Sequence, residues 1–423
     1  MLPLGTRPAL RLLPFALAVL GACGDMTTPS APVGTTEPQY AVQPLKRTWT
    51  VTTLDDPGSG SCVSSYCSLR QAVAAAQAGD RIVFKGTVKG TIALTSSIQL
   101  GKPLQVDGAG RVTLDAQGND IVLSIFSQGV DVSGFTLTGG TLGAINVLSG
   151  TLTLRSSTVT GNTSVLAGGG IRNLGTLTVI NSSITNNTTS TDGGGIWSAG
   201  GTLTVVGSTI AGNSAANYGG GIYVTSTGNA SVTSSTISGN SAGRVGGGIY
   251  DYAAGLSIRS STIVANIAPG AGGGVGVESP AGEPGSVVLA NSIIAGNPSG
   301  DCYNDSPGIG VLKSIGYTLS ATGDQGCFAL YPTSVSPTDA FIDPTQLYTD
   351  VIDVQLRNNG GPTSTHALIE RGPAVDAGSC PGELTDQRGM ARPYDDPRIP
   401  NARDACDIGS VEWLPPVTSG RKK

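Results

Sequence analysis

The sequence predicts an all-β chain, a right-handed parallel β-helix built from three-strand coils of about 26 residues. Three observations lead there. Triple glycines begin at Gly168, Gly193, Gly219, Gly246 and Gly272, at steps of 25, 26, 27 and 26 residues. An apolar column keeps the same period through Val159, Ile184, Ile210, Ile237, Ile263 and Ile294, with an asparagine three residues after each member and a serine two before. Composition agrees: 63 of 423 residues are Gly and 13% are charged, against about 25% charged in ordinary globular chains. Disordered chains have no reason to space apolar residues evenly, and a propeller blade needs about 40 residues.

Each element has its own warrant. Within a coil, pairs such as Leu152/Leu154, Leu177/Val179 and Leu203/Val205 alternate as strands do. Coils in register close the backbone hydrogen bonds between neighbours, and the parallel crossover sets the hand. The serines share the parity of the isoleucines and should point inward. The asparagines should stack at a turn and satisfy backbone groups there. Triple glycine suits a turn of positive φ. Weaker segments at 82–84, 92–94, 104–106, 121–125 and 130–137 read as earlier coils, giving eight or nine in all, about 40 Å of solenoid.

The ends differ from the middle. Residues 1–22 read as an export signal: Arg7 and Arg11, then the short apolar run Leu12 to Leu20, which is too short to span a bilayer. Leu20-Gly21-Ala22-Cys23 resembles a lipobox, which implies lipidation of Cys23, and Gly24 favours sorting to the outer membrane. Residues 23–47, rich in Pro, Thr and Ser, form a tether. The β-helix with its N-terminal cap spans 48–300. Ser68 and Gln71 match a capping box, predicting a helix over 69–78 stopped near Gly79; it should cap the open end of the solenoid. Residues 301–415 are expected to be a loop-rich C-terminal cap, and 416–423 a tail.

Seven cysteines leave six once Cys23 is set aside. Proximity favours Cys62–Cys67, Cys302–Cys327 and Cys380–Cys406, which an exported chain can form. One histidine and no CxxC pair argue against zinc. A net charge of −5 without a basic patch argues against nucleic acid.

Thr52-Thr53-Leu54-Asp55-Asp56 and Cys67-Ser68-Leu69-Arg70-Gln71-Ala72 resemble the CSLREA domain of bacterial surface proteins, with Gln71 where that motif has Glu. Gly372-Pro373-Ala374-Val375-Asp376-Ala377-Gly378, Thr385-Asp386-Gln387-Arg388-Gly389 and Cys406-Asp407-Ile408-Gly409-Ser410-Val411-Glu412 resemble the choice-of-anchor Q domain. The repeats are similar to polymorphic outer-membrane proteins and to the pectin-lyase-like superfamily. The resemblance implies a surface-anchored β-helix, with Cys23 as the anchor here.

Pectin-lyase-like relatives include polysaccharide lyases and hydrolases, so chemistry must be weighed. Asp192, Asp251 and Glu278 fall on different coils and form no doublet, and no catalytic residue is assigned. His366 is expected to be structural. No cofactor is expected, except that Asp301, Asp305 and Asp324 are candidate calcium ligands; Asp386, Arg388, Asp407 and Glu412 should fix the C-terminal cap through ion pairs. The position after each glycine turn and its isoleucine should face outward, aligning Arg172, Trp197, Tyr223 and Tyr250, with Tyr252 and Tyr218 close by. Such a stripe could bind sugar rings by apolar contact, with Arg172 and Asp251 orienting polar groups, or simply stabilise the sheet. The expected function is a monomeric, lipid-anchored, non-catalytic adhesin-like or glycan-binding protein at the outer membrane or cell surface. A polysaccharide-cleaving enzyme and a purely structural envelope component are the alternatives.

Overall fold

The computed structural model describes residues 46–225, 228–280, 285–305, 311–322, 326–328 and 335–415. Cys23, the signal, the tether, Asp324 and the tail lie outside these residues. Lys46–Lys423 forms a compact unit by itself, with a continuous core running from Val51 to Phe328.

The fold is the parallel β-helix that the repeat predicts. A nine-stranded sheet runs from Ile98–Leu100 to Cys302–Asn304, one strand per coil, and a 20-stranded sheet holds the other two strand columns. Pairing is parallel and in register, as in Ile184↔Ile210↔Ile237↔Ile263↔Ile294 and Leu177↔Leu203. Four middle coils add a two-residue strand each, Thr163–Ser164 through Ser241–Ala242.

The polar columns form ladders. Each serine N–H donates to the hydroxyl of the serine one coil on, from Ser157 to Ser292, at 3.1–3.3 Å. From Asn187 on, each asparagine presents its Oδ1 to both the backbone N–H and the Nδ2 of the preceding rung, as Asn213 does for Asn187 at 3.0 Å. Both columns are buried, so these bonds satisfy donors that water cannot reach.

Only the first glycine of each triplet has the expected positive φ, for example Gly193 at 69°. The other two are needed because the next coil's backbone lies against them. A Cβ on Gly194 would stand 2.4 Å from the Gly220 carbonyl oxygen, whereas one on Gly239 would meet nothing. Gly194→Ala is therefore expected to cost about 3 kcal/mol through overpacking, and Gly239→Ala, strained only by its φ of 64°, about 1 kcal/mol. Urea-unfolding midpoints compare the two; equal losses would refute the backbone contact as the cause.

The capping helix is shorter than expected, Leu69–Ala75 rather than 69–78, although the Ser68/Gln71 capping box forms as read. Asp80 ends it early. Its carboxylate accepts the N–H groups of Arg47 and Gln77 and the Trp49 indole, all within 3.0 Å. That ties residues 76–80 into a turn toward the first strand.

The region from 301 does not begin as a loop-rich cap: its first strands continue the solenoid. Cys302–Asn304, Val311–Ser314, Leu319–Ala321 and Ala340–Ile342 extend the ladders. The chain then returns along one flank. Gln387 accepts from the Thr236 hydroxyl at 2.6 Å and donates to Thr209 at 3.1 Å, and Ser410 N–H donates to Thr262 at 3.0 Å. A second core packs Val264, Ile293 and Leu319 against Leu347, Val351, Leu368 and Ile408. All three expected disulfides form.

Candidate functional site

The outward column of the nine-stranded sheet carries Arg172, Trp197, Tyr223, Tyr250 and Gly276 as paired neighbours. Strand alternation placed them there, and Arg172, Trp197, Tyr223 and Tyr252 are half-buried on that face.

Tyr250 departs from the expectation, being 1% exposed. The next rung is Gly276, and the Tyr250 ring lies down over it: a Cβ there would meet the ring at 3.0 Å. Tyr218 stacks on it at 4.7 Å and Tyr223 at 5.4 Å, and its hydroxyl donates to Glu278. Tyr250 is thus the floor of the site rather than a contact surface.

Ring faces elsewhere in the stripe are also engaged. The Arg172 guanidinium sits 5.3 Å over Trp197 and that of Arg244 5.8 Å over Tyr218. What the stripe offers a ligand is ring edges, tyrosine hydroxyls and two guanidinium groups. Burial raises the Tyr223 hydroxyl well above its ordinary pKa, helped by Asp192, so it stays a protonated donor.

Two acids that looked scattered join this face. Asp192 accepts the Tyr218 N–H at 3.2 Å, and Glu278 stands beside Tyr252, paired with it in register. Burial raises the Asp192 carboxyl, while the Tyr218 N–H, Asn217 and Arg244 pull it back. Arg244 was missed by strand reading because it lies in a turn. Its signal was the position just before a column: Asp192, Tyr218 and Val245 each precede a glycine triplet.

Asp251 does not orient ligand groups. It follows outward Tyr250 and so points inward, fully buried between Val224 and Val277 of adjacent coils, with only a weak approach by the Ala254 N–H to its oxygens. Burial pushes its carboxyl up to about 7.

The other candidates have structural roles. Asp301 is not an exposed calcium ligand: it is fully buried, and its Oδ1 ends the asparagine ladder by accepting the N–H and Nδ2 of Asn297 at 3.1 and 2.9 Å. Asp305 is exposed. His366 is buried, with Nε2 2.9 Å from the Ser238 hydroxyl and Nδ1 2.8 Å from the Asp353 carbonyl oxygen. Since a carbonyl only accepts, Nδ1 carries the proton and Ser238 donates to Nε2. Burial lowers the pKa of this imidazole. Asp386 pairs with Arg388 at 2.6 Å as expected. Glu412 pairs with Arg392 at 2.6 Å. Asp407 makes no ion pair among the described residues; it accepts the Asp376 and Trp413 N–H groups, and burial with Glu412 nearby raises its pKa. Asp404 lies close to Cys380 and Cys406, but those sulfurs are joined in a disulfide.

Comparison with known proteins supports the architecture. Residues 181–199 match the Chlamydia polymorphic membrane protein repeat. No curated protein matches the chain. The crystal structure of pectate lyase Pel9A superposes with a TM-score of 0.50 at 15% identity, covering 87% of this chain and 97% of that one. At that identity the likeness establishes the shared fold alone.

Proposed function

We propose that the chain is exported, lipid-anchored at Cys23 and displayed at the cell surface as a non-catalytic, adhesin-like β-helix that binds polysaccharide or cell-surface glycan. The observation that carries this reading is the outward rank of Arg172, Trp197 and Tyr223, joined by Asp192, Tyr218, Tyr252 and Arg244 on one face of adjacent coils. Mixed donors, acceptors and ring edges on a rigid sheet suit the hydroxyls and apolar edges of a sugar chain. The polymorphic membrane protein repeat and the CSLREA-like and choice-of-anchor-like end motifs agree with display at a surface. In the same reading, residues 1–22 are the signal and 23–47 the tether. The non-catalytic part is supported by the burial of Asp251, Asp301 and His366, while Asp192 and Glu278, which share the face, are engaged by the Tyr218 N–H and the Tyr250 hydroxyl.

The test is a polysaccharide array, including uronic-acid polymers, probed with a chain beginning at residue 40, which keeps every contact described above. Trp197→Ala and Arg172→Ala should each weaken binding about tenfold or more, as truncation of interface anchors does. Binding that both variants leave unchanged would remove this face from the account. Unsaturated products appearing in the same assay would instead make the protein a polysaccharide-cleaving enzyme. Palmitate labelling that Cys23→Ala abolishes tests the anchor.

A further inference from the structure

We infer that the outward threonine face of the 20-stranded sheet binds ice, a function carried by a different sheet from the one proposed to bind glycan and independent of that reading. The strands Thr151–Arg155, Thr176–Ile180 and Thr202–Val206 each hold a Thr-x-Thr pair with an inward apolar residue between the two threonines. In-register pairing stacks these pairs coil on coil. Thr153, Thr178 and Thr204 form one column, continued by Ser231, and Thr151, Thr176 and Thr202 form the next.

The product is a grid of hydroxyls and methyls that repeats in two directions. The threonines of a pair stand about 6.6 Å apart along the strand, and each column repeats from coil to coil at about 4.8 Å. Pairing runs from Leu152 to Leu289 without a register shift, so the grid is regular. A surface periodic in two directions suits a ligand that is periodic in the same way. Both repeats lie close to oxygen spacings on the prism faces of ice. Hydroxyls on successive coils can therefore each meet a lattice position, with the methyls seated between them.

The hydroxyls are also unspent. Among the described residues, those of Thr153, Thr176, Thr178, Thr202, Thr204 and Ser231 have no hydrogen-bond partner, whereas Thr160 and Thr185 on the neighbouring face bond to each other at 3.2 Å. Thr153, Thr178 and Thr204 are half-buried and Thr202 is exposed. The returning flank lies on the neighbouring strand column, where it meets Thr209, Thr236 and Thr262.

Charge fits the same occupant. The outward positions of Thr176–Ile180, Thr202–Val206 and Asn229–Thr233 hold no ionisable group. Charges stand at the borders, in the Arg155–Asp131 pair at 3.0 Å and at Arg259. A neutral face meets a neutral lattice without stripping water from an ion, which is costly. Strand propensity favours threonine at each position singly. It does not demand that a block of three coils be free of charge, and the outward face of the nine-stranded sheet carries Arg172 and Glu278.

The test is ice growth in a solution of the chain beginning at residue 40, followed in a nanolitre osmometer. A gap between the melting and freezing points is expected, with faceted crystals. Thr178→Tyr raises a ring from the middle of the grid and should abolish the gap. Thr204→Tyr, one coil on, should do the same and serves if the first variant does not fold. Thr163→Tyr, at an exposed position outside the grid, should leave the gap intact. No gap in the parent protein, or a gap that survives a folded grid variant, would overturn the assignment. Co-sedimentation with crystalline cellulose that Thr178→Tyr removes, without any effect on ice, would give the face to a crystalline polysaccharide and overturn it too. Glycan binding lost in Trp197→Ala reports on the other sheet, so either reading can fail alone.

Discussion

Raising the pH from 4 to 7 should destabilise the folded chain, and Asp251 should be a principal cause. Its carboxyl is fully buried between valines, and burial, only weakly opposed by the Ala254 N–H, pushes it up to about 7. The unfolded chain releases this proton near pH 4, whereas the folded chain holds it until about pH 7. Between those values the folded state binds more protons, so stability falls as pH rises. Three units correspond to about 4 kcal/mol, an order-of-magnitude figure. Asp301, also pushed up to about 7 by burial, acts in the same direction. Below pH 4 the trend reverses, because hydrogen bonds hold Asp80 below the usual carboxylate range, the Gln77 N–H foremost. Asp251→Val continues the apolar column of Val224 and Val277. It should raise stability by about 4 kcal/mol at pH 8 and by much less at pH 4. The check is urea unfolding of both proteins at pH 4, 6 and 8. If the variant kept the full pH slope of the parent, Asp251 would not be its source.

The second large effect should come from the middle of the asparagine ladder. Asn213→Ala removes the acceptor of the Asn187 N–H and Nδ2 and the donor to the Ile184 carbonyl oxygen, all within 3.0 Å and shut off from water. With the Asn240 Oδ1, which loses the Asn213 amide donor, four buried polar groups lose a partner, which should cost about 3–5 kcal/mol. Asn213→Asp should cost at least as much, because a carboxylate cannot donate to the Asn240 Oδ1 or the Ile184 carbonyl oxygen. Asp301 is tolerated only because it stands last: its second oxygen meets the Ala321 N–H at 3.1 Å rather than another acceptor. Asn162→Ala, at the first rung, should cost less, since its Oδ1 serves only the Gly140 N–H. Thermal or urea midpoints of the three variants order them; a mild loss at Asn213 would mean water replaces the ladder.

Repetition made most of this legible in advance. A residue type recurring every 25 to 27 positions has the same neighbours above and below itself in every coil. The isoleucine, serine and asparagine columns therefore declared their roles without coordinates, and the glycine triplets marked their turns. The aromatic stripe was readable for the same reason.

What the sequence by itself determined is the coil, its register, the capping box and which side chains share a column. Each follows from periods of 2 and 26 acting through local geometry. Tertiary structure alone decided what lies across a column. Tyr250 is buried because its neighbour one coil on is a glycine, over which a ring can lie flat, and strand alternation says nothing of such tilts. The return of residues 343–415 along a flank depends on contacts between Gln387 and Thr236, 151 positions apart, outside any period. One trace of it was present: the outward column Thr160, Thr185, Ala211, Ser238, Val264 loses its threonines where the flank is covered. A surface that is going to be buried needs small or apolar side chains, and that physical demand is what the sequence recorded there.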